Sequence, residues 1–130
     1  MPNYTARRIM DALNERGVAV KGAKLLALGV TYKPDVGDVR ESAAIQVLAH
    51  LHAWGAKLSF HDPYVTRVDE HGLKLRRRRL TEGLVRDADA VLLLTPHADY
   101  DLDQLADWAT LLFDARNATA RRDRPNVEIL

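Results

Sequence analysis

Three cationic side chains lie in segments of the sequence that could together bind an anion. Lys33 and Arg40 lie in the polar segment 31–42, and Arg116 follows a later apolar run. Ser42 is a suitable residue to begin a helix at the end of the first segment. Cations beside a helix amino terminus favour a negatively charged ligand, most economically a phosphate. Alternatively, these cations only pair with the neighbouring acidic residues, which are Asp35, Asp38, Glu41 and Asp114.

The elements that must position these cations are short apolar runs that alternate with helical stretches. Runs such as Leu25–Val30 are apolar on both faces, which is typical of strands buried inside a parallel sheet. The alternation predicts an α/β fold, a three-layer Rossmann-like parallel sheet with helices on both faces. The predicted strands are Leu25–Val30, Lys57–His61, Ala90–Leu94 and Thr110–Asp114, and the predicted helices are Ala43–Trp54, Thr81–Asp87 and Leu102–Trp108. Ligands of such sheets bind beyond the carboxyl ends of the strands, which is where the three cations lie.

Three further segments surround this sheet. An amphipathic helix is predicted over Asn3–Arg16, and it ends at Gly17. Leu73–Leu80 fits either a short edge strand or a solvated connection. Residues 121–130 are predicted to form an exposed tail, as chain ends commonly do.

Composition excludes several classes of protein. The 130 residues are 47% hydrophobic and 28% charged, the balance of a soluble globular domain, and no apolar run approaches the length of a membrane span. The absence of cysteine excludes a disulfide framework, a thiolate metal site and a cysteine nucleophile in this chain. A net charge of +1 gives no global field for nucleic-acid binding. We therefore expect a soluble, cytoplasmic protein that binds neither membranes nor nucleic acid.

Four ordered motifs resemble those of one known family. The motifs are Gly29–Ser42, Ser59–Val65, Ala88–Val91 with Thr95–His97, and Asp114–Asn117. On these motifs the chain is similar to the carboxyl-terminal, UDP-binding domain of the UDP-glucose/GDP-mannose dehydrogenase family. The motif sequences look more like those of the branch that acts on N-acetylated UDP-hexoses than like those of the animal UDP-glucose branch.

The resemblance implies a function and a role for each cation. Family members oxidise the C6 hydroxyl of a nucleotide sugar to a carboxylate with NAD, in polysaccharide biosynthesis among other pathways. By resemblance, Lys33 and Arg116 bind the UDP-sugar, and Arg40 reaches toward NAD. Residues 1–20 correspond to the end of the central helical region, and residues 21–120 correspond to the nucleotide-sugar-binding domain.

The resemblance also implies what this chain lacks. In the family, NAD is bound mainly by an amino-terminal domain, and a catalytic cysteine and most dimer contacts belong to the central helices. The chain has no cysteine, and its first turn, Gly29–Lys33, is not a G-x-G-x-x-G turn. We therefore expect no catalytic residue here, an inactive isolated chain, and a homodimer only in the full-length enzyme.

The residues also allow other interpretations of function. A second hypothesis is a stand-alone, non-catalytic interaction or regulatory module, in which the stripe of Asn3–Arg16 and the sheet edge serve assembly. Arg76–Arg79 fits either a solvated strand or loop, or a patch that binds nucleic acid or an acidic surface, and we favour the solvated strand or loop. The five histidines lack metal-ligand spacing, so no metal site is expected. Ser42 is not on a G-x-S-x-G turn, which favours a helix cap over a nucleophile.

Overall fold

The computed structural model describes residues 2–119 and 124–130. Within them the chain alternates between helices and strands, as the sequence predicts. None of the helices in this part of the chain is long and apolar enough to cross a membrane. The helices are α1 (Pro2–Glu15), α2 (Ala43–Ala53), α3 (Glu82–Asp87) and α4 (Leu102–Trp108). The strands are β1 (Lys24–Leu28), β2 (Lys57–His61), β3 (Arg67–Glu70), β4 (Leu73–Arg76), β5 (Ala90–Leu93), β6 (Leu112–Asp114) and β7 (Val127–Ile129).

The main sheet has five parallel strands in the order β2-β1-β5-β6-β7. All four strands predicted from the apolar runs are in it. Its helices follow the predicted ranges to within a few residues: α2 begins after Ser42, whose Oγ accepts a hydrogen bond from the Ile45 N–H, and it ends before Gly55. The predicted α/β class is therefore confirmed.

Helices cover both faces of the sheet. Leu25 and Ala27 of β1 belong to a core that α1 and α2 complete, whereas Leu26 and Leu28 belong to a second core under α3 and α4. Because successive strand residues point to opposite faces, a strand covered on both sides must be apolar throughout. This is why the strands read as continuous apolar runs, and it confirms the three-layer arrangement.

Helix α1 packs on the same core as the sheet. Its Ile9 and Leu13 side chains are fully buried in one cluster with Leu48 and Leu51 of α2. The predicted amphipathic helix is confirmed. This chain covers most of its apolar stripe, although Tyr4 at the start of the helix is 49% exposed. The division of the chain at residue 20 stays a prediction.

Residues 67–76 form an antiparallel hairpin that was not predicted from the sequence. Leu73–Arg76 is a strand, not a solvated connection, and it pairs with β3 rather than directly extending the main sheet. The turn residues His71 and Gly72 have φ values of 54° and 81°, the left-handed conformation of a tight hairpin turn. Val68 and Leu73 are buried against the main core.

The predicted exposed tail is wrong for Val127–Ile129. These residues form the edge strand β7, parallel to β6, and Val127 is buried. The Asn126 side-chain amide donates to the carbonyl oxygens of Ala106 and Ala109, at 2.8 and 3.0 Å. The strand covers a row of backbone groups on β6 that would otherwise stay unpaired. Residues 121–123 of the predicted tail lie outside the described residues.

Candidate functional site

The parallel topology brings the predicted site residues to one edge of the sheet. Lys33 lies in the connection after β1, Arg40 lies just before α2, and Arg116 follows β6. Strands β1 and β6 are both neighbours of β5. The connections that carry the cations therefore emerge on the same side of the molecule, with the end of β5 between them.

The loop that holds Arg116 is built on a buried carboxylate. Asp114 at the end of β6 is fully buried, and its oxygens accept from the backbone N–H groups of Arg116 (3.0 Å), Ala118 (3.1 Å) and Thr119 (2.7 Å). The Thr119 hydroxyl adds a fourth hydrogen bond at 2.9 Å. Asp114 thus fixes the backbone of the loop, and it is not an ion-pair partner of the Arg116 guanidinium, which donates to the Leu94 carbonyl oxygen at 3.4 Å.

Tyr32 lies next to two of the cations, Arg116 and Arg40. Its side chain, 55% exposed, lines a cavity of about 80 Å³ together with Arg116 and Thr31. It also lines an open depression of about 520 Å³ together with Arg40. Tyr32 was not among the site residues predicted from the sequence. The feature that could have indicated it is a large aromatic residue directly next to Lys33, in a segment that follows a strand.

Arg40 behaves as the alternative interpretation predicts. Its guanidinium donates two hydrogen bonds to Asp38, both at 3.1 Å, and its side chain is 87% exposed. The hydrogen bonds from Arg40 hold the pKa of Asp38 below its ordinary value, and the same contact raises the pKa of Arg40. Salt screens such an exposed pair, so it leaves Arg40 accessible to a further anion.

Lys33 carries a charge without a partner in the described part of the chain. Its side chain is exposed, and it forms no ion pair with residues 2–119 or 124–130. Its backbone is held, because the Thr31 hydroxyl donates to the Lys33 carbonyl oxygen at 2.9 Å. The alternative interpretation, in which the cations only pair with neighbouring acidic residues, is therefore wrong for Lys33 and Arg116.

A buried polar network lies beneath this edge. Asp62 and His97 follow β2 and β5, and their side chains are both fully buried, with His97 Nε2 at 2.9 Å from Asp62 Oδ2. Val30 and Tyr64 donate their backbone N–H groups to the same carboxylate, each at 2.8 Å. The sequence placed both residues at strand ends. Their pairing was not predictable, since 35 residues separate them.

The first turn, Gly29–Lys33, lacks the G-x-G-x-x-G pattern of a dinucleotide-binding turn. Gly29 has φ +85°, and a Cβ atom there would lie 2.3 Å from the Thr95 carbonyl oxygen. Its glycine is therefore required for the close approach of this turn to the loop after β5, a packing role within the chain.

Two other sequence features are the histidines and the arginine run Arg76–Arg79. Within residues 2–119 and 124–130, no group of three or more histidine, cysteine, aspartate or glutamate side chains could hold a metal ion. In the run Arg76–Arg79, Arg77 donates to the carbonyl oxygens of Asp62 and Pro63, at 3.3 and 3.4 Å. One arginine of the run thus supports the loop after β2.

The sequence matches the profile of the UDP-glucose/GDP-mannose dehydrogenase family, UDP binding domain, over residues 26–121. It is 32% identical to a UDP-glucose 6-dehydrogenase of Bacillus subtilis (strain 168) over 122 residues, 88% of this chain and 28% of that protein. It is 31% identical to a UDP-N-acetyl-D-mannosamine dehydrogenase of Methanococcus aeolicus over 100 residues, 77% of this chain and 21% of that protein.

A solved structure shows the same fold. The UDP-D-ManNAc dehydrogenase from Pyrococcus horikoshii superposes with a TM-score of 0.79 at 20% identity, over 99% of this chain and 30% of that chain. The chain thus spans between about a fifth and a third of the length of these relatives. The profile match over residues 26–121 and the sequence relatives show its family: the chain belongs to the UDP-glucose/GDP-mannose dehydrogenase family, and it contains that family's UDP binding domain.

Proposed function

We propose that this chain binds the nucleotide part of a UDP-sugar through Lys33 and Arg116. The observation that carries the proposal is that Arg116 shares a cavity with Tyr32, the neighbour of Lys33, at the carboxyl edge of the sheet. The ammonium of Lys33 has no ion-pair partner among the described residues. Within residues 2–119 and 124–130, the Arg116 guanidinium makes one long hydrogen bond, to the Leu94 carbonyl oxygen. Both cations are thus available to the diphosphate, and charge-assisted hydrogen bonds to phosphate are among the strong ones in proteins.

The wider reaction follows from the relatives. Two of them are named as dehydrogenases of UDP-glucose and UDP-N-acetyl-D-mannosamine. We assign this chain to an NAD-dependent oxidation of a UDP-sugar at C6, in which it supplies binding groups. Because the chain has no cysteine and its first turn lacks the G-x-G-x-x-G pattern, we assign the catalytic thiol and most of the NAD contacts to other parts of such an enzyme. The homodimer and the cytoplasmic location stay predictions.

Arg40 is assigned to NAD rather than to the UDP-sugar. Its side chain is 87% exposed, and Arg40 lines the open depression together with Tyr32. A cation in this place reaches an anion presented from outside the domain. The Arg40→Ala variant should therefore bind UDP as the unchanged chain does.

Calorimetric titration of UDP into the chain tests the proposal. Replacing Lys33 or Arg116 with alanine should weaken UDP binding roughly 10- to 100-fold, the effect of losing one hydrogen bond to a charged group. The matched control is Lys57→Ala, because Lys57 is equally exposed but lies at the amino end of β2, the opposite edge of the sheet. Equal affinity of the Lys33 and Lys57 variants would contradict the proposal. No UDP binding by the unchanged chain would favour the stand-alone interaction module.

A further inference from the structure

We propose that His97 is a positioning residue that fixes the backbone on both sides of Lys33, through a neutral imidazole with its proton on Nε2. The inference rests on the proposed function in one respect, since the fixed backbone serves to present Lys33 to a phosphate. The hydrogen bonds themselves are independent of any ligand.

The first contact holds the chain after Lys33. The Asp35 backbone N–H donates to His97 Nδ1 at 2.8 Å. A backbone N–H can donate only to a ring nitrogen that carries no proton, so Nδ1 is the acceptor and the proton of the neutral ring lies on Nε2.

The second contact holds the chain before Lys33. His97 Nε2 lies 2.9 Å from Asp62 Oδ2 and 3.2 Å from Thr31 Oγ1. The single proton on Nε2 is donated to Asp62 Oδ2 at the shorter distance and is shared with Thr31 Oγ1 at the longer one. The Thr31 hydroxyl can accept it because it gives its own proton to the Lys33 carbonyl oxygen. One imidazole therefore holds residues at positions two before and two after Lys33.

The ring itself cannot turn away. Its side chain is fully buried, and the Tyr64 ring packs edge-on against it with the centroids 5.0 Å apart. Asp62 is fixed in turn by two backbone N–H groups. The direction of both ring nitrogens is thus set by the interior of the domain.

The loop needs such a restraint at Asp35. This residue has φ 64°, a left-handed conformation that a non-glycine residue keeps only where its surroundings enforce it. The Ala98 N–H donates to Asp35 Oδ1 at 2.7 Å, so residues 97 and 98 together hold Asp35. A lysine on a fixed backbone loses less conformational freedom on binding, which raises affinity without a new contact.

Two variants separate positioning from simple packing. His97→Asn places an amide oxygen near the position of Nδ1 and keeps an acceptor for Asp35. His97→Gln places an amide nitrogen near the position of Nε2 and keeps a donor to Asp62 but offers Asp35 no acceptor. Hydrogen exchange should therefore show a protected Asp35 amide in the asparagine variant and an exposed one in the glutamine variant.

UDP affinity should follow the Asp35 contact rather than stability. We expect the glutamine variant to bind UDP about tenfold more weakly and the asparagine variant to bind within about threefold of the unchanged chain, although both unfold more easily. His52→Gln, an exposed position on α2, is the control and should change neither readout. Equal Asp35 exchange in the two His97 variants would overturn the inference.

The unchanged chain gives an independent test. Long-range proton–nitrogen NMR spectra should show His97 with an unprotonated Nδ1 and a protonated Nε2, and the reverse assignment would overturn the inference. These NMR and exchange readouts need no ligand. A chain that shows them but does not bind UDP would contradict the proposed function alone.

Discussion

Gly29 lets the connection after β1 pass directly against Thr95, two residues after the end of β5. It has φ +85°, and the Thr95 backbone occupies the place of a side chain there. The close approach brings Thr31 beside Thr95, whose hydroxyl donates to the Thr31 carbonyl oxygen at 3.1 Å. The position of the segment that carries Lys33 thus depends on the absence of a Cβ atom at Gly29.

Gly29→Ala should lower the free energy of unfolding by about 3–5 kcal/mol, because it adds overlap with Thr95 to the strain of a positive φ. Gly22→Ala is the matched control, since Gly22 has φ +84° and no atom within 4 Å of the added Cβ atom. It should lose only about 1 kcal/mol. Urea unfolding of both variants measures the difference, and equal losses would contradict the close approach.

His61 contributes a pH dependence to stability. Burial lowers the pKa of His61 below its ordinary value of 6.5. Between the lowered pKa and 6.5 the unfolded chain binds more protons, so the free energy of unfolding falls as pH falls through this window. His61→Gln should flatten that decline in unfolding experiments between about pH 7 and 5. An identical decline in the variant would contradict the assignment.

Among the secondary-structure elements, α2 is the one that ties the core to the site. Its cap residue Ser42 is buried, and the Ser42 hydroxyl donates to the Val30 carbonyl oxygen at 2.8 Å while accepting from the Ile45 N–H. One side chain thus fixes both the start of the helix and the beginning of the segment that follows β1. The 31–42 connection that carries Lys33 and Arg40 is therefore closed at its base.

Ser42→Ala should lower the free energy of unfolding by about 2–3 kcal/mol, because it removes the cap and leaves a buried carbonyl oxygen unpaired. Thr81→Ala removes the equivalent cap of α3 at an exposed position and should cost about 1 kcal/mol. Thermal unfolding of the two variants compares them. A loss at Ser42 no larger than that at Thr81 would show that the Val30 contact adds nothing.

The elements differ in how far local sequence determines them. Strand β1 could be predicted because Leu25–Leu28 must be apolar toward both helical layers, and α2 because Ser42 and Gly55 mark its two ends. The β3–β4 hairpin escaped prediction because its turn is His-Gly rather than the usual Asn-Gly or Asp-Gly. The Asp62–His97 pair was not predictable because only the folded topology brings these residues together.

On the scale of the whole molecule, the carboxyl-terminal residues complete the sheet instead of leaving it. Val127 is buried under the α3–α4 layer, and the hydrogen bonds of Asn126 connect the segment to α4. The Arg124 guanidinium also pairs with Asp107 of α4 at 2.5 Å. Local composition could not show this, since the strand has only three residues and its partner β6 is as short.

Val127→Asp should lower the free energy of unfolding by about 2–4 kcal/mol, because it buries a charge without a partner. Glu128→Asp, at the half-exposed next residue of the same strand, should stay within about 0.5 kcal/mol of the unchanged chain. Denaturant unfolding of both variants tests whether β7 belongs to the fold. Two silent substitutions would restore the exposed tail that the sequence suggested.

The molecule has two separate groups of exposed basic side chains, and only one of them is the proposed binding site. Lys33 and Arg116 stand at the carboxyl edge of the sheet, whereas the hairpin residues Arg67, Lys74 and Arg76 form a separate basic surface. A phosphate drawn only by positive charge would bind at either place. A phosphate recognised by the site would bind at the first alone.

A crystal structure of the chain with UDP therefore tests the central claim most directly. We expect the diphosphate at the carboxyl edge of the sheet, with its oxygens about 3 Å from the Lys33 ammonium and the Arg116 guanidinium. UDP bound at the β3–β4 hairpin, or at the carboxyl edge without contact to either cation, would contradict the account.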